Sequence, residues 1–322
     1  MRELLFYKEY KMKKIIVAVF LLTCVTVNAD NLDVWKYVDF DTSMRLSEYP
    51  RAIPTTKRIV GIDGQELYNF FKNLYNQYNL TALRKRGIVM GEKIPKIIHQ
   101  IWIGGPLPEA FKDLCESWRY YHMARGWLYK LWTDEDAAKM ELHNRIFFDQ
   151  TDSPGVRSDL MKWEIIYNFG GFYLDVDYEC LQPLDCLLGY DFITAIQPLD
   201  GFFVQLGAAF YGARPYHPIL EHCIETIKDD WHHKGAPTKT GPVHYTKSFF
   251  ATAGRDGNID IALPASYGYP LGAQEKIYDY EKWVDNGAFC IHHWAKSWMP
   301  ARFRLKQFQN LDNDNKTEGW ND

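Results

Sequence analysis

Residues 157–177 read Arg157-Ser-Asp159-Leu-Met-Lys162-Trp-Glu-Ile-Ile-Tyr-Asn-Phe-Gly170-Gly171-Phe-Tyr-Leu-Asp175-Val-Asp177. The pattern predicts a helix over 156–169 that stops at the double glycine, followed by a short apolar strand over 172–174. That strand delivers two carboxylates at its carboxyl end. Because residues two apart on an extended chain face the same side, we expect the two carboxylates to converge. Glu179 could extend the same row.

Two carboxylates in hydrogen-bond range repel each other and raise one pKa, and a divalent cation removes that cost. Carboxylate oxygens suit Mn²⁺ or Mg²⁺, and the carboxyl end of a strand in an open α/β sheet is where ligands bind. An Asp-x-Asp triplet alone is a weak signal, because short acidic triplets occur by chance. Directly after an apolar strand bounded by glycines, Asp175 and Asp177 predict a metal site.

The segments before this region alternate between strand and helix patterns. The apolar runs at 96–102 and 127–132 predict strands, and the sequence between them predicts a helix over 108–121. Thr133 is followed by three acidic residues, a pattern typical of a helix start. Such alternation favours an α/β fold with a mostly parallel central sheet.

We expect four segments along the chain: a leader over 1–29, a helical N-terminal extension over 30–90, the main domain over 91–302, and a polar tail over 303–322. The extension is predicted from apolar residues at helical spacing within Gln65–Leu80. The extension is expected to pack on the main domain. The alternative, that it is simply part of that domain, stays open.

The amino terminus carries the pattern of a secretory leader. An uncharged apolar run from Ile15 to Val27 follows three lysines and precedes small residues that end at Ala29. The run is shorter than the roughly 20 residues of a membrane span, which favours cleavage over a short signal-anchor that would tether the protein. The leader predicts export or the secretory pathway, as a Golgi-lumen enzyme or a secreted effector. Membrane association is expected only through this segment.

The composition excludes several classes of function. The chain has 322 residues, of which 47% are hydrophobic and 24% charged, as in a folded protein of about two domains. Its net charge of −4 leaves no basic excess for a phosphate backbone, so we expect no nucleic-acid partner. The six cysteines include no CxxC pair, which argues against a zinc ribbon or a redox pair.

These motifs resemble the glycosyltransferases with a DXD-containing sugar-binding region. That family includes initiating α-1,6-mannosyltransferases, α-1,4-glycosyltransferases and bacterial capsule enzymes, with the large clostridial glucosylating toxins as more distant relatives. The resemblance covers about residues 94–300. Besides 157–177, it rests on Ile94-Pro-Lys-Ile-Ile-His-Gln-Ile-Trp-Ile-Gly104, on Thr240-Gly-Pro242 and on His292-His-Trp-Ala-Lys-Ser-Trp298.

The resemblance implies a GT-A-type fold, a nucleotide-sugar donor and retention of anomeric configuration. It implies that Mn²⁺ (or Mg²⁺) on the donor diphosphate is held by Asp175, Asp177 and His292. Trp102, flanked by Ile101 and Ile103, would stack on the nucleotide base. The alternative for Trp102 is a residue of the core.

Further donor-binding residues follow from the same resemblance. Asp159 would accept hydrogen bonds from donor hydroxyls, while Arg157 would contact phosphate or orient Asp159; both, with Asp175, form the predicted catalytic set. Their alternatives are a helix-start carboxylate and a surface ion pair. The other predicted donor contacts are Lys162, Gly170, Gly171, Tyr173, Ser297 and Trp298. The alternative for the two glycines is a helix C-cap, and both roles can coexist. Thr240 is predicted to cap a helix with Pro242 in its first turn.

One segment departs from the family pattern. Where the family usually shows an Asn, residues 201–209 read Gly201-Phe-Phe-Val-Gln205-Leu-Gly-Ala-Ala209, so the sugar or acceptor preference can differ. We predict a metal-dependent retaining glycosyltransferase that moves a sugar from a UDP- or GDP-sugar to a glycan or protein acceptor. The alternatives are a toxin-like enzyme that modifies a host protein, a metal-dependent nuclease or phosphatase, and a non-catalytic sugar- or Ca²⁺-binding module. The oligomeric state does not follow from the sequence.

Overall fold

The computed structural model describes residues 34–297. The described residues from Trp35 onwards belong to one compact unit. The predicted leader and the predicted polar tail lie outside the described residues. Among the described residues, no helix has the length and apolar composition that a membrane crossing requires.

The strands are β1 (Ile97–Ile101), β2 (Leu128–Trp132), β3 (Gly171–Leu174), β4 (Tyr178–Cys180), β5 (Phe192–Ile196), β6 (Leu206–Ala213), β7 (Asp260–Leu263) and β8 (Cys290–His292). The central sheet has the order β2-β1-β3-β6-β5-β7, and β4 pairs with β8 in a small second sheet. Only β6 is antiparallel to its neighbours in the central sheet. The predicted α/β fold with a mostly parallel central sheet is confirmed.

The helices are α1 (Phe40–Met44), α2 (Ala52–Val60), α3 (Gly64–Tyr78), α4 (Leu80–Lys85), α5 (Glu109–His122), α6 (Asp134–Lys139), α7 (Arg145–Asp149), α8 (Pro154–Phe169), α9 (Pro218–Glu225), α10 (Ile227–Asp230), α11 (Ala236–Lys239), α12 (Pro242–Thr252), α13 (Ala265–Gly268) and α14 (Tyr280–Asp285). Short 3-10 turns occur at Met123–Arg125, Asp185–Leu187, Leu199–Gly201 and Arg255–Gly257. The helices and strands predicted between residues 96 and 174 are therefore confirmed, with boundaries shifted slightly.

The helix and strand on either side of the double glycine form as the sequence predicts. Helix α8 begins at Pro154, after Ser153, whose hydroxyl accepts a hydrogen bond from the Val156 amide at 3.4 Å. It ends at Phe169, and Gly170 turns the chain into β3, which is buried along its whole length. The buried strand then carries the chain to the carboxyl edge of the sheet, where Asp175 follows.

The double glycine is required by backbone geometry and by packing. Gly170 and Gly171 have φ angles of +64° and +96°, a region that favours glycine. A Cβ at Gly170 would lie 2.7 Å from atoms of Pro95 and Pro215, and one at Gly171 would lie 2.6 Å from the carbonyl oxygen of Ile97. Both glycines therefore allow the chain to turn from α8 into β3 close to Pro95, Pro215 and the first strand.

The N-terminal helix α3 packs against helices α12 and α13 through aromatic side chains. Helix α3 is capped by Asp63, whose carboxylate accepts hydrogen bonds from the Gln65 and Glu66 amides. On its buried face, the rings of Phe71 and Phe249 lie 5.9 Å apart, and the Tyr75 hydroxyl lies 2.9 Å from that of Tyr267. The predicted helix is present over 64–78, and the domain boundary at residue 90 stays a prediction.

Candidate active site

The site lies at the carboxyl edge of the central sheet. Strands β1, β2 and β3 are mutually aligned in the parallel sense, so their carboxyl ends meet at one edge. Trp102 directly follows β1, and Asp175 directly follows β3. Val176 and Ala295 join a buried apolar cluster with Phe111, and Trp102 packs against that cluster. The fold thus brings three separate predicted segments, around residues 102, 175 and 295, to the same place.

Asp175 and Asp177 come together through a turn. The chain leaves β3 at Leu174, and the Tyr178 amide donates to the carbonyl oxygen of Asp175 at 3.1 Å. The expected cause, alternation along an extended strand, was therefore wrong, although the two carboxylates do converge. A turn folds the chain back after the strand, so that β4 can pair with β8 immediately afterwards.

The β4–β8 pair delivers His292 to these carboxylates. Tyr178 and His292 are register partners, and their rings stack with centroids 4.7 Å apart. The Nε2 atom of His292 lies 3.2 Å from Oδ1 of Asp177, while its buried Nδ1 has no hydrogen-bond partner among the described residues. One ligand atom from each of Asp175, Asp177 and His292 lies within 4.8 Å of the others. Two carboxylate oxygens and one imidazole nitrogen form a donor set that suits Mn²⁺.

Burial and charge affect the two carboxyl groups in opposite directions. Burial raises the pKa of Asp175, Lys162 opposes that shift, and the neighbouring charge of Asp177 adds to it. Burial also opposes ionisation of Asp177, but the charge and hydrogen bond of His292, with the Ala295 amide, outweigh burial and hold its pKa below the ordinary value. A divalent cation would relieve the repulsion between these carboxylates, so the residues present fit a metal ion.

A second polar group extends from α8 towards Asp175. Lys162, 3% exposed, lies with Nζ 2.5 Å from Oδ1 of Asp159, and the Thr240 hydroxyl donates to Oδ2 of Asp159 at 2.8 Å. Lys162 also lies over the ring of Tyr173, with Nζ 5.2 Å from the centroid, and the Tyr173 hydroxyl donates to Oδ1 of Asp175 at 2.7 Å. These contacts connect the Asp159 carboxylate to the carboxylate pair through buried side chains.

The prediction that Thr240 caps a helix was wrong. The N-cap position of α12 is held by Gly241, and Pro242 is the first helical residue, as predicted. The Thr240 hydroxyl is used by Asp159 instead. The hydroxyl that local sequence would assign to the helix end therefore donates to Asp159, a residue distant in sequence. This contact places Thr240 within the site.

Three predicted residues lie away from the carboxylate cluster. Arg157 donates from Nε to the carbonyl oxygen of Phe148 at 3.2 Å, and its Nη2 lies 3.6 Å from the exposed Asp152, so its described contacts do not orient Asp159. Gly170 and Gly171 lie at the amino end of β3, whereas Asp175 follows its carboxyl end. The structure gives both glycines the packing role described above, and Gly170 the C-cap of α8.

The predicted base-stacking segment is partly accessible. Trp102 is half-buried, its indole N–H donates to the carbonyl oxygen of Pro106 at 3.0 Å, and its ring lies 5.3 Å from that of Phe111. Ile101 and Ile103 are 4% and 7% exposed, so only their backbone can face a ligand. Ser297 is half-buried at the last described position, and Trp298 lies outside the described residues.

Sequence reasoning missed several groups at this site. The Ala295 amide donates to Oδ2 of Asp177 at 2.8 Å, an interaction with no side-chain signal. Glu179 does not extend the carboxylate row, because it accepts hydrogen bonds from Tyr280 and His293 instead. His99 is buried between Gly170 and Trp132.

The chain is thus an α/β protein with an Asp-x-Asp carboxylate pair at the edge of the sheet where open α/β folds generally bind ligands. Residues 108–193 match the family described as glycosyltransferase sugar-binding region containing DXD motif. The chain is 32% identical over 146 residues to inositol phosphoceramide mannosyltransferase 1 of Schizosaccharomyces pombe, covering 42% of this chain and 43% of that protein. It is 27% identical over 215 residues to inositol phosphoceramide mannosyltransferase 2 of the same organism, covering 62% and 60%. These matches confirm the resemblance predicted from the sequence.

The chain spans between 43% and 60% of the length of these two relatives. A solved structure titled PaToxG Glycosyltransferase has a TM-score of 0.43 at 13% identity, covering 63% of this chain and 82% of that one. The similarity therefore concerns one region of the chain and part of the length of each relative.

Proposed function

We propose that this protein is a metal-dependent, retaining glycosyltransferase that moves a sugar from a UDP- or GDP-sugar to a glycan or protein acceptor. The observation that carries the proposal is the meeting of Asp175, Asp177 and His292 within 4.8 Å at the carboxyl edge of the sheet. The match of residues 108–193 to a sugar-binding region supports the same reaction class.

In this proposal Asp175, Asp177 and His292 hold Mn²⁺ or Mg²⁺. When bound, the cation supplies positive charge that offsets the charge of a departing nucleoside diphosphate. The chain's own residues prepare that position. The Tyr173 hydroxyl and the Ala295 amide each hold one carboxylate in place, and burial of Asp177 limits access of water. Preorganised ligands of this kind need little rearrangement when a substrate arrives.

The Asp159 group is proposed to bind the transferred sugar. Its carboxylate is fixed by Lys162 on one oxygen and by Thr240 on the other. Each carboxylate oxygen has further lone pairs that can accept a hydrogen bond from a sugar hydroxyl. Tyr173 contacts both Lys162 and Asp175. The side chains proposed to bind the sugar are therefore fixed relative to those proposed to hold the metal ion.

The relatives suggest which sugar to examine first. Two proteins of Schizosaccharomyces pombe that match this chain are named inositol phosphoceramide mannosyltransferases. We therefore place mannose first among the candidate sugars, with a glycosylated lipid as one form of glycan acceptor. We further propose that the enzyme acts in an export or secretory path, a proposal that rests on the predicted leader over residues 1–29.

Calorimetric titration of the purified protein tests the proposal. UDP-, GDP- and CDP-sugars are titrated with and without Mn²⁺, beside the variants Asp177→Ala and Asp285→Ala. Asp285 is a matched control because its carboxylate is exposed and pairs only with the exposed Lys36 among the described ion pairs. We expect one nucleotide sugar to bind and its binding to require Mn²⁺. Its affinity should fall at least about tenfold in Asp177→Ala and stay unchanged in Asp285→Ala, because loss of a group that holds or orients a metal ion weakens the site by at least that factor.

The other outcomes separate the alternatives. A folded protein that binds none of these donors contradicts the proposal and favours a non-catalytic module. Cleavage of nucleic acid or of phosphate esters in the presence of Mn²⁺, without donor binding, favours a nuclease or a phosphatase. Donor binding with transfer only to a host protein indicates the toxin-like alternative.

A further inference from the structure

The turn that follows β1 is tied to the first residue of α6. Gly104 and Gly105 are exposed and have φ angles of +93° and +119°. The Gly104 amide donates to both carboxylate oxygens of Asp134, at 3.0 and 3.1 Å, and the Gly105 amide donates to Oδ2 at 3.0 Å. One carboxylate therefore holds two consecutive amides of a turn that glycine makes flexible.

Asp134 does not make the capping interaction of its own helix. The capping interaction of α6 is made by Asp136, whose carboxylate accepts from the Thr133 amide at 2.9 Å. Glu135, the next residue, is exposed like Asp134 and has no described contact with the turn. The carboxylate of Asp134 is thus directed away from the helix and towards the turn.

The turn at Gly104 and Gly105, which Asp134 holds, lies between the two groups that fix Trp102. The Trp102 amide donates to the carbonyl oxygen of Trp132 at 2.9 Å, so the backbone is fixed at the end of β1. The indole is oriented from the far side of the turn, where the Pro106 carbonyl accepts its N–H at 3.0 Å. Between these two points lie the amides that Asp134 holds. Loss of that carboxylate would free the Pro106 carbonyl and with it the indole.

We infer that Asp134 is a positioning residue for the nucleotide: through Gly104 and Gly105 it holds the indole of Trp102 in the orientation that a nucleotide base stacks on. The inference rests on the proposed function, because it needs a nucleoside diphosphate as ligand. Asp134 acts through the turn and does not touch the ligand itself. Its loss should therefore weaken contacts with the base and leave contacts with the diphosphate unchanged.

The test compares Asp134→Ala with Glu135→Ala in the full chain. Each variant, loaded with Mn²⁺, is titrated with UDP and GDP and separately with inorganic pyrophosphate. We expect Asp134→Ala to weaken binding of the preferred nucleotide about tenfold, comparable with the loss of part of a base–aromatic stack. Pyrophosphate binding should stay unchanged, and Glu135→Ala should match the wild type for every ligand. A variant that had merely lost structure would weaken both ligands.

Trp102→Ala and the double variant Asp134→Ala/Trp102→Ala complete a cycle. If Asp134 acts through the indole, the double variant binds the nucleotide no more weakly than Trp102→Ala alone. Additive losses, or nucleotide binding by Asp134→Ala equal to that of Glu135→Ala, overturn the inference.

A measurement without nucleotide distinguishes failure of this inference from failure of the proposed function. Hydrogen exchange at the Gly104 and Gly105 amides should be at least about tenfold faster in Asp134→Ala than in Glu135→Ala, because each amide loses its acceptor. Equal exchange rates overturn the inference even if nucleotides bind. If exchange is faster in Asp134→Ala but the wild-type protein binds no nucleotide, the proposed function is contradicted. The inference about the base then fails with it.

Discussion

The buried His122 shows how an individual residue is fixed in one protonation state. Nδ1 of His122 lies 3.0 Å from the carbonyl oxygen of Trp118, and Nε2 accepts from the Leu184 amide at 3.1 Å. The neutral ring satisfies both contacts, whereas a proton on Nε2 would break the second. Burial lowers the pKa of His122 from 6.5 to about 4.

This shift predicts loss of stability in mild acid. The folded-state pKa of His122 is below the unfolded value, so between pH 6.5 and about 4 the unfolded chain binds more protons. The free energy of unfolding should fall as the pH falls through that window, by about 3 kcal/mol from this residue alone. Urea unfolding at several pH values measures it, and His122→Gln should show a shallower dependence on pH than the wild type.

The matched control is His232→Gln, since His232 is exposed. It should leave the dependence of stability on pH unchanged. Equal pH dependence in the wild type and His122→Gln would show that the buried ring is not the source of the acid sensitivity. The sequence did not predict this feature, because a histidine on an apolar helix face looks the same whether or not a distant amide such as that of Leu184 reaches it.

At the scale of elements, the helix–glycine–strand unit was predictable because its signals are local. The helical pattern and the two glycines after it act within a few residues of the chain. The turn that joins Asp175 to Asp177 and the use of Thr240 by Asp159 were not predictable, because each depends on a partner far away in sequence. Both features are determined by tertiary contacts that local sequence patterns do not contain.

A pair of glycine variants separates backbone strain from packing in this unit. Gly87 and Gly171 both have positive φ angles, but a Cβ at Gly87 would meet no atom within 4 Å, whereas one at Gly171 would overlap the Ile97 carbonyl. We expect Gly87→Ala to cost about 1 kcal/mol from strain alone. Gly171→Ala should cost at least about 3 kcal/mol, because the backbone of β1 must also move. Thermal or urea unfolding of both variants measures the difference, and equal losses would show that packing at β3 is adaptable.

At the scale of the whole molecule, the N-terminal helices share their core with the sheet. Phe71 on α3 is fully buried, and its ring lies 5.9 Å from that of Phe249 on α12. The Thr56 hydroxyl on α2 accepts a hydrogen bond from the Val204 amide at 2.8 Å, directly before β6. Since β6 borders the strand that carries Asp175, the N-terminal helices support the region that holds the site.

This arrangement predicts that the N-terminal helices and the sheet unfold together. Phe71→Ala removes a fully buried ring and should lower the free energy of unfolding by about 3–5 kcal/mol. Because the ring packs on α12, the loss should shift one cooperative transition, seen at the same urea concentration by circular dichroism and by nucleotide binding with Mn²⁺. Tyr37→Ala is the matched control, since that ring is 51% exposed and should change stability by about 1 kcal/mol or less. If Phe71→Ala instead produced an early transition that left nucleotide binding intact, residues 30–90 would be an independent extension, and the boundary expected at residue 90 would mark a true domain.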